Sequence, residues 1–236
     1  MMTNKEFAKF YVDYIKYAKE EIVNIETTYR CPLQCPFCQR QDPDPRTNER
    51  ISKSTDISFS NYKKLVQFAS NFSFCGQISD PIYHANFLEL LKETQKYPSK
   101  KFFISTTGTR KKIEWWKEAF SYSGQNIRWI FGLDGTDQET ANIYRVNTKF
   151  DEVLEVMKLG ASMGCIVRWQ FIVFQHNEHQ IEEAKKIAKE IGVDLKIQMS
   201  GRWRQEDMDK YKIYPPSDKW KSTNSVTKEI IIFNKK

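Results

Sequence analysis

Hydrophobic positions along this chain fall into short runs whose period switches repeatedly. Phe7, Phe10, Tyr11, Tyr14, Ile15 and Ala18 recur at helical spacing and predict an amphipathic N-terminal helix. Alternation over 22–28 predicts a first strand. Further strands are expected over 72–76, 101–106, 127–133, 165–174 and 195–199. Between them, helical spacing predicts a helix capped by Ser60 and running to about 70, then helices over 85–97, 111–122, 138–144, 150–163 and 179–191. The segment 42–54 is polar and bears prolines, so it reads as loop.

Six β/α units in succession predict an α/β domain with a parallel sheet and right-handed crossovers. A closed eight-unit barrel takes ~250 residues. Six units and a tail fit 236 residues better, which leaves a partial (β/α)6 barrel open on one side. The barrel is expected over 1–200. The tail, 201–236, shows no helical or strand period until the run from Lys228, which reads as one strand. It is expected to pack on the barrel as a lid or partner-docking surface rather than fold alone. No internal repeat or low-complexity segment interrupts the alternation.

Loops after the strands' C-terminal ends are where such folds place their chemistry. The first strand leads into Tyr29-Arg30-Cys31-Pro32-Leu33-Gln34-Cys35-Pro36-Phe37-Cys38. This C-x3-C-x2-C run holds three of the five cysteines. Three thiolates this close can hold three irons of a cubane and leave the fourth without a protein ligand. Most iron–sulfur proteins close that position with a fourth cysteine. An open iron instead chelates a small molecule, as an open zinc site keeps a position for substrate. A zinc site would want a second C-x2-C knuckle or nearby histidines, and His84, His176 and His179 lie far along the chain. A redox dithiol of Cys35 and Cys38 would leave Cys31 unexplained.

The cysteine run, with the aromatic Phe37 before its last cysteine, resembles the signature of the radical S-adenosylmethionine (SAM) enzymes. The resemblance implies a 4Fe–4S cluster on Cys31, Cys35 and Cys38, with the amino and carboxylate groups of SAM on the open iron. An electron from the cluster would split the sulfonium into methionine and a 5′-deoxyadenosyl radical that abstracts hydrogen from substrate. It also implies a partial barrel, and cofactor contact at Phe37.

Three further stretches extend the resemblance to roughly 22–200. Phe74-Cys75-Gly76-Gln77-Ile78-Ser79-Asp80-Pro81 stands where the family often has Gly-Gly-Glu-Pro, whose acceptors meet the SAM ammonium. Gln77 replaces the glutamate, and Asp80 follows before the proline. Phe131-Gly132-Leu133-Asp134-Gly135 with Tyr144-Arg145 resembles a stretch of the peptide-modifying members with SPASM or twitch C-terminal domains. Gly132 replaces a serine that often touches the SAM ribose. By resemblance Arg145 pairs with the SAM carboxylate, which suits a planar guanidinium fork; the plainer reading is a helix-surface ion pair. Asp134 is implied near the nucleoside, or else caps the next helix. In the fifth unit Gln170 and Asn177 are implied near the nucleoside. His176 and His179 read as solvated, and Cys75 and Cys165 as buried strand cysteines.

Composition narrows the setting. No apolar run reaches the ~18–20 residues of a membrane span, and the N-terminus lacks a signal-peptide core. An odd number of cysteines, three in one loop, argues against a disulfide framework. A reducing cytoplasm is expected. The net charge of +7 comes mostly from lysines on helical faces, which is ordinary solvation. The tail is denser: from Gly201, nine Lys and Arg face five Asp and Glu, interleaved with Trp203, Tyr211, Tyr214 and Trp220. That pattern suits contact with an acidic peptide or nucleic acid, or packing over the barrel mouth. The resemblance implies reduced flavodoxin or ferredoxin as electron donor and a peptide or protein side chain as substrate. Modification of a nucleotide, nucleic acid or sugar is the alternative enzyme reading, and an iron–sulfur or zinc-carrying binding protein the non-enzyme one. No cysteine follows Cys165, so any auxiliary-cluster domain is expected on a separate subunit, if one is needed.

Overall fold

Along the strands between the sheet's two edges, alternate residues are mostly apolar and buried, and this alternation builds the sheet. In the computed structural model, which describes residues 22–74, 78–220 and 227–231, the strands are β1 (Ile22–Asn24), β2 (Asn71–Phe74), β3 (Lys101–Thr106), β4 (Ile127–Gly132), β5 (Ile166–Val173), β6 (Asp194–Met199) and β7 (Thr227–Ile231). They lie in sequence order in one sheet. Pairing is parallel from β1 to β6, and β7 adds antiparallel to β6. The six parallel strands with helices between them form the expected partial barrel. β1 and β7 are its edges among the described residues. The expected N-terminal helix lies outside the described residues.

Phe102, Ile104, Trp129, Phe131, Val167, Trp169, Leu195 and Ile197 face the helices and are buried. The alternate set, including Ser105, Ile130, Gly132, Gln170 and Gln198, faces a cavity on the other side of the sheet. The helices are α1 (Pro45–Lys53), α2 (Phe59–Phe68), α3 (Phe87–Thr94), α4 (Ile113–Ser121), α5 (Gln138–Tyr144), α6 (Phe150–Ser162), α7 (Ile181–Ile191) and α8 (Gln205–Tyr211). An aromatic stack joins α4 to the sheet: Trp116 meets Trp129 and Phe131 at 5.6 Å between ring centres, and Phe120 meets Trp129 at 5.4 Å. Each such side chain contributes roughly 2–3 kcal/mol on burial. The buried indoles of Trp129 and Trp169 donate to Ser123 Oγ (2.9 Å) and Leu133 O (2.6 Å). None of the described helices is long and apolar enough to cross a membrane.

Three sequence expectations need correction. The segment 42–54 is not loop throughout, since α1 occupies most of it. Asp44 caps α1 by accepting from Arg46 N at 2.9 Å, and Pro45 takes the first turn. No residue of α1 is buried, so it has no apolar face for periodicity to detect. The cap of α2 is Ser58 rather than Ser60, with Asn61 N donating to Ser58 Oγ at 3.2 Å. The tail is not irregular: α8 forms within it, again with no buried residue of its own.

Candidate active site

The chain leaves β1 and enters the cysteine loop, which neighbours hold in place. Asp80 N donates to Arg30 O (2.9 Å) and Gln34 N to Val146 O (3.1 Å). Arg40 donates to Tyr29 O at 2.6 Å and Ile78 O at 3.1 Å. Cys38 N closes a turn onto Cys35 O at 3.0 Å. Cys31, Cys35 and Cys38 are all half-buried and line one cavity of about 310 Å³ at the C-terminal ends of the strands. That volume is at the low end for small-molecule sites. Burial pushes the Cys31 thiol up to about 12, with help from Asp80. Burial pushes Cys35 up to about 11, against the pull of the Arg145 charge.

The donor set fits an iron–sulfur cluster better than a single ion. Soft thiolates suit zinc and iron–sulfur clusters alike. One zinc ion needs every sulfur within about 2.3 Å of one point, and no three His, Cys, Asp or Glu among the described residues converge in that way. A cubane takes one thiolate per iron, so its ligands stand further apart. The three thiols are still close enough that Cys35 and Cys38 both disfavour charge on Cys31.

Arg145 and Asp134 form a buried ion pair, Nε to Oδ2 at 2.6 Å. Arg145 is therefore not on a helix surface, and Asp134 does not cap α5; Asp137 does, accepting from Thr140 N at 2.7 Å. The other Asp134 oxygen accepts from Ile172 N at 2.7 Å, which ties β4 to β5. Burial opposes the Arg145 charge, but Asp134, Cys35 and Tyr144 together outweigh it and hold the guanidinium protonated. Arg145 reaches the cavity and Asp134 does not line it. A Cβ on Gly132 would stand 2.8 Å from Arg145 Nη2. The guanidinium thus fills the space a serine side chain would need, which accounts for glycine at this position.

Asp80 lines the cavity but is fully buried and committed. Its Oδ2 accepts from Thr107 Oγ1 (2.7 Å), Thr107 N (2.8 Å) and Thr106 Oγ1 (3.0 Å), and its Oδ1 from Ile82 N (3.2 Å). Gln170 also lines the cavity. Gly76 and Gln77 lie outside the described residues, as does Cys75. Asn177 is buried away from the cavity. Its Oδ1 accepts from Phe174 N (2.7 Å), and its Nδ2 donates to Ile172 O (2.9 Å) and Asp134 O (3.0 Å). The Phe37 ring points away from the cavity into a second apolar cluster with Tyr144, Phe174, Trp203 and Tyr211. Arg202, on the chain leaving β6, donates to Phe37 O at 3.3 Å. His176 is half-buried rather than freely solvated: it stacks on Phe174 at 5.3 Å, with Nε2 buried and without a partner. Cys165 is buried.

Sequence reading passed over the hydroxyls of Ser105, Thr106 and Thr107, which line the cavity. Their signal was a polar run at a strand's C-terminal end. Arg202 carried no such signal, because its position depends on how the chain turns after β6.

Residues 25–191 match the family described as the Radical SAM superfamily. The match spans well over half of the chain, which therefore belongs to the radical SAM superfamily, whose members use a 4Fe–4S cluster and SAM. The fold is similar to that of Streptococcus suis SuiB bound to S-adenosylmethionine, with a TM-score of 0.62 at 14% identity over 90% of this chain and 52% of SuiB. SuiB bound to precursor peptide SuiA gives 0.64 at 14% identity, over 87% and 48%. anSMEcpe with bound AdoMet and Kp18Cys peptide gives 0.56 at 18% identity, over 80% and 57%. The chain spans about half the length of these structures.

Proposed function

We propose that this chain is the catalytic barrel of a radical SAM enzyme acting on a peptide or protein side chain. The observation that carries the reading is one cavity lined by Cys31, Cys35, Cys38 and the buried Arg145. When bound, the cluster and SAM supply a one-electron cleavage of the sulfonium that ends in hydrogen abstraction from substrate. Cys31, Cys35 and Cys38 would hold the cluster, with one iron left for SAM. Arg145 keeps its Nε on Asp134 and offers its remaining donors to the SAM carboxylate. The Thr106 and Thr107 hydroxyls donate to Asp80; Thr107 keeps both lone pairs, and Thr106, which also accepts from Gly108 N, keeps one, as acceptors for the ammonium. Gly76 and Gln77 belong to the same loop in this reading. Gln170 offers its amide to the nucleoside. Asp134 and Asn177 position these groups from behind. Phe37 and its aromatic neighbours keep water from one side of the cavity. Reduced flavodoxin or ferredoxin would supply the electron. The peptide substrate is supported by the fold shared with SuiB and anSMEcpe, both of which were captured with peptides.

Anaerobically reconstituted protein should carry about four irons and four sulfides. With dithionite and SAM it should release methionine and 5′-deoxyadenosine. Cys35→Ala should lose both. A stoichiometric zinc site without sulfide would sink the proposal.

A further inference from the structure

Beneath the cavity lies a pair of arginines that the site above does not use. Arg128 on β4 and Arg168 on β5 sit on the strand face that carries Ile130, Gly132, Gln170 and Ile172, all cavity-lining residues. Arg168 is in register with Ile130, and Arg128 with Ile166 one pleat lower. The two guanidinium groups are near enough that Arg128 depresses the pKa of Arg168, after the larger effect of burial.

Among the described residues, their surroundings are short of negative charge. Asp194 on β6 reaches Arg168 Nη2 at 3.5 Å, a long contact, and the side chains are only 12% and 10% exposed. Arg128 has no carboxylate within ion-pair distance among the described residues; its guanidinium lies 5.8 Å from the ring centre of Phe103. The Nε atoms of both arginines and Oδ1 of Asp194 are buried without hydrogen-bond partners. Lys196, next along the inner face of β6, has an interaction of its own. A fold that needed only packing here would not keep two partly buried cations against one anion.

We propose that Arg128 and Arg168 form an anion subsite in the barrel floor that binds a carboxylate side chain of the substrate. The inference rests on the peptide reading above and narrows it to peptides with an acidic residue at or beside the modified position. Charge selects the class. Two guanidinium groups and one carboxylate leave a single positive charge, which a carboxylate neutralises. A phosphate monoester, at about −1.5 to −2, would leave an excess of negative charge against Asp194. The planar fork of arginine also matches a carboxylate with two parallel hydrogen bonds.

The test compares N-acetyl-glutamate amide with N-acetyl-glutamine amide by calorimetry on the cluster-loaded chain with SAM. The glutamate probe should bind at least about tenfold more tightly. Arg128→Gln and Arg168→Gln should each bring that ratio close to one, and Asp194→Asn should tighten the glutamate probe further. Equal binding of the two probes to the parent chain overturns the proposal. So does discrimination that survives both arginine substitutions, and so does inorganic phosphate displacing the glutamate probe at lower concentration than glutarate. If the arginine variants do not fold, Asp194→Asn decides: unchanged glutamate affinity overturns the site. Release of 5′-deoxyadenosine by the parent chain without probe is read in the same preparation. Its absence strikes the proposed function, whereas lost discrimination with cleavage intact strikes only the anion subsite.

Discussion

Gly132, Asp134 and Arg145 act as one unit, because the guanidinium is held on one side by a carboxylate and bounded on the other by a missing side chain. Gly132→Ser would force a fixed arginine to move, and such overpacking costs about 1–3 kcal/mol. In the Arg145→Ala background the same serine should cost much less. Urea unfolding of the two single variants and the double variant checks this, and simple additivity would show the two sites to be independent. Asp134→Ala leaves a buried, uncompensated guanidinium and should cost about 3–5 kcal/mol. Arg145→Ala should also weaken SAM binding by about 1.5–3 kcal/mol, the range for a charge-assisted hydrogen bond. His176 offers a pH test. Burial, with His179 second, lowers its pKa from 6.5 to about 4. Between those values the unfolded chain takes up a proton that the folded ring refuses. The stability from neutral His176 is therefore full above about pH 6.5 and is lost as pH falls toward 4. Partial solvent access limits the loss to about 1 kcal/mol. His176→Gln should flatten this part of the stability–pH curve relative to the parent.

At the scale of elements, Phe37 links the cysteine loop to the segment around α8. Its ring lies 5.8 Å from Trp203 and 6.4 Å from Tyr211, and Trp203 also meets Phe174 at 5.7 Å. Trp203→Ala should cost about 3 kcal/mol or more if the pocket does not collapse. It should also speed hydrogen exchange at the amides of Gln34 and Cys38, which an α8 unconnected to the loop would leave unchanged. The elements that carry this site were legible where burial imposed a period. Phe102 and Ile104, Trp129 and Phe131, and Trp169 and Phe171 alternate with inward residues, so β3, β4 and β5 stood out. α1 and α8 bury no residue fully and left no such trace. The cysteine spacing pointed to the proposed cluster site because its candidate ligands lie within eight positions of one another. The Arg145–Asp134 pair was visible only as two residues with separate roles. Its burial depends on β4 and β5 meeting in a particular register, as does the knot that Asn177 ties between them.

For the molecule as a whole, the sheet's ends determine what the tail must do. β1 is three residues long, while β6 would present a six-residue parallel edge if β7 did not cover it. Such an uncovered edge is a template for pairing with another chain. The tail segment before β7 has a second task, since Gly201 and Arg202 line the cavity and Trp203 packs on Phe37. These two tasks can be separated. A chain ending at Asn224 keeps α8 and the aromatic cluster but loses β7, and should self-associate in size-exclusion chromatography while still taking up about four irons. Trp203→Ala in the full chain keeps the edge covered and should run at the parent's size. Its fault should lie at the cavity, as a higher ratio of unproductive 5′-deoxyadenosine release to substrate turnover once water gains access. If the shortened chain runs at the parent's size, β7 is not guarding the edge. If the ratio is unchanged in Trp203→Ala, the aromatic cluster is not what keeps the cavity dry, and its role is confined to holding the cysteine loop.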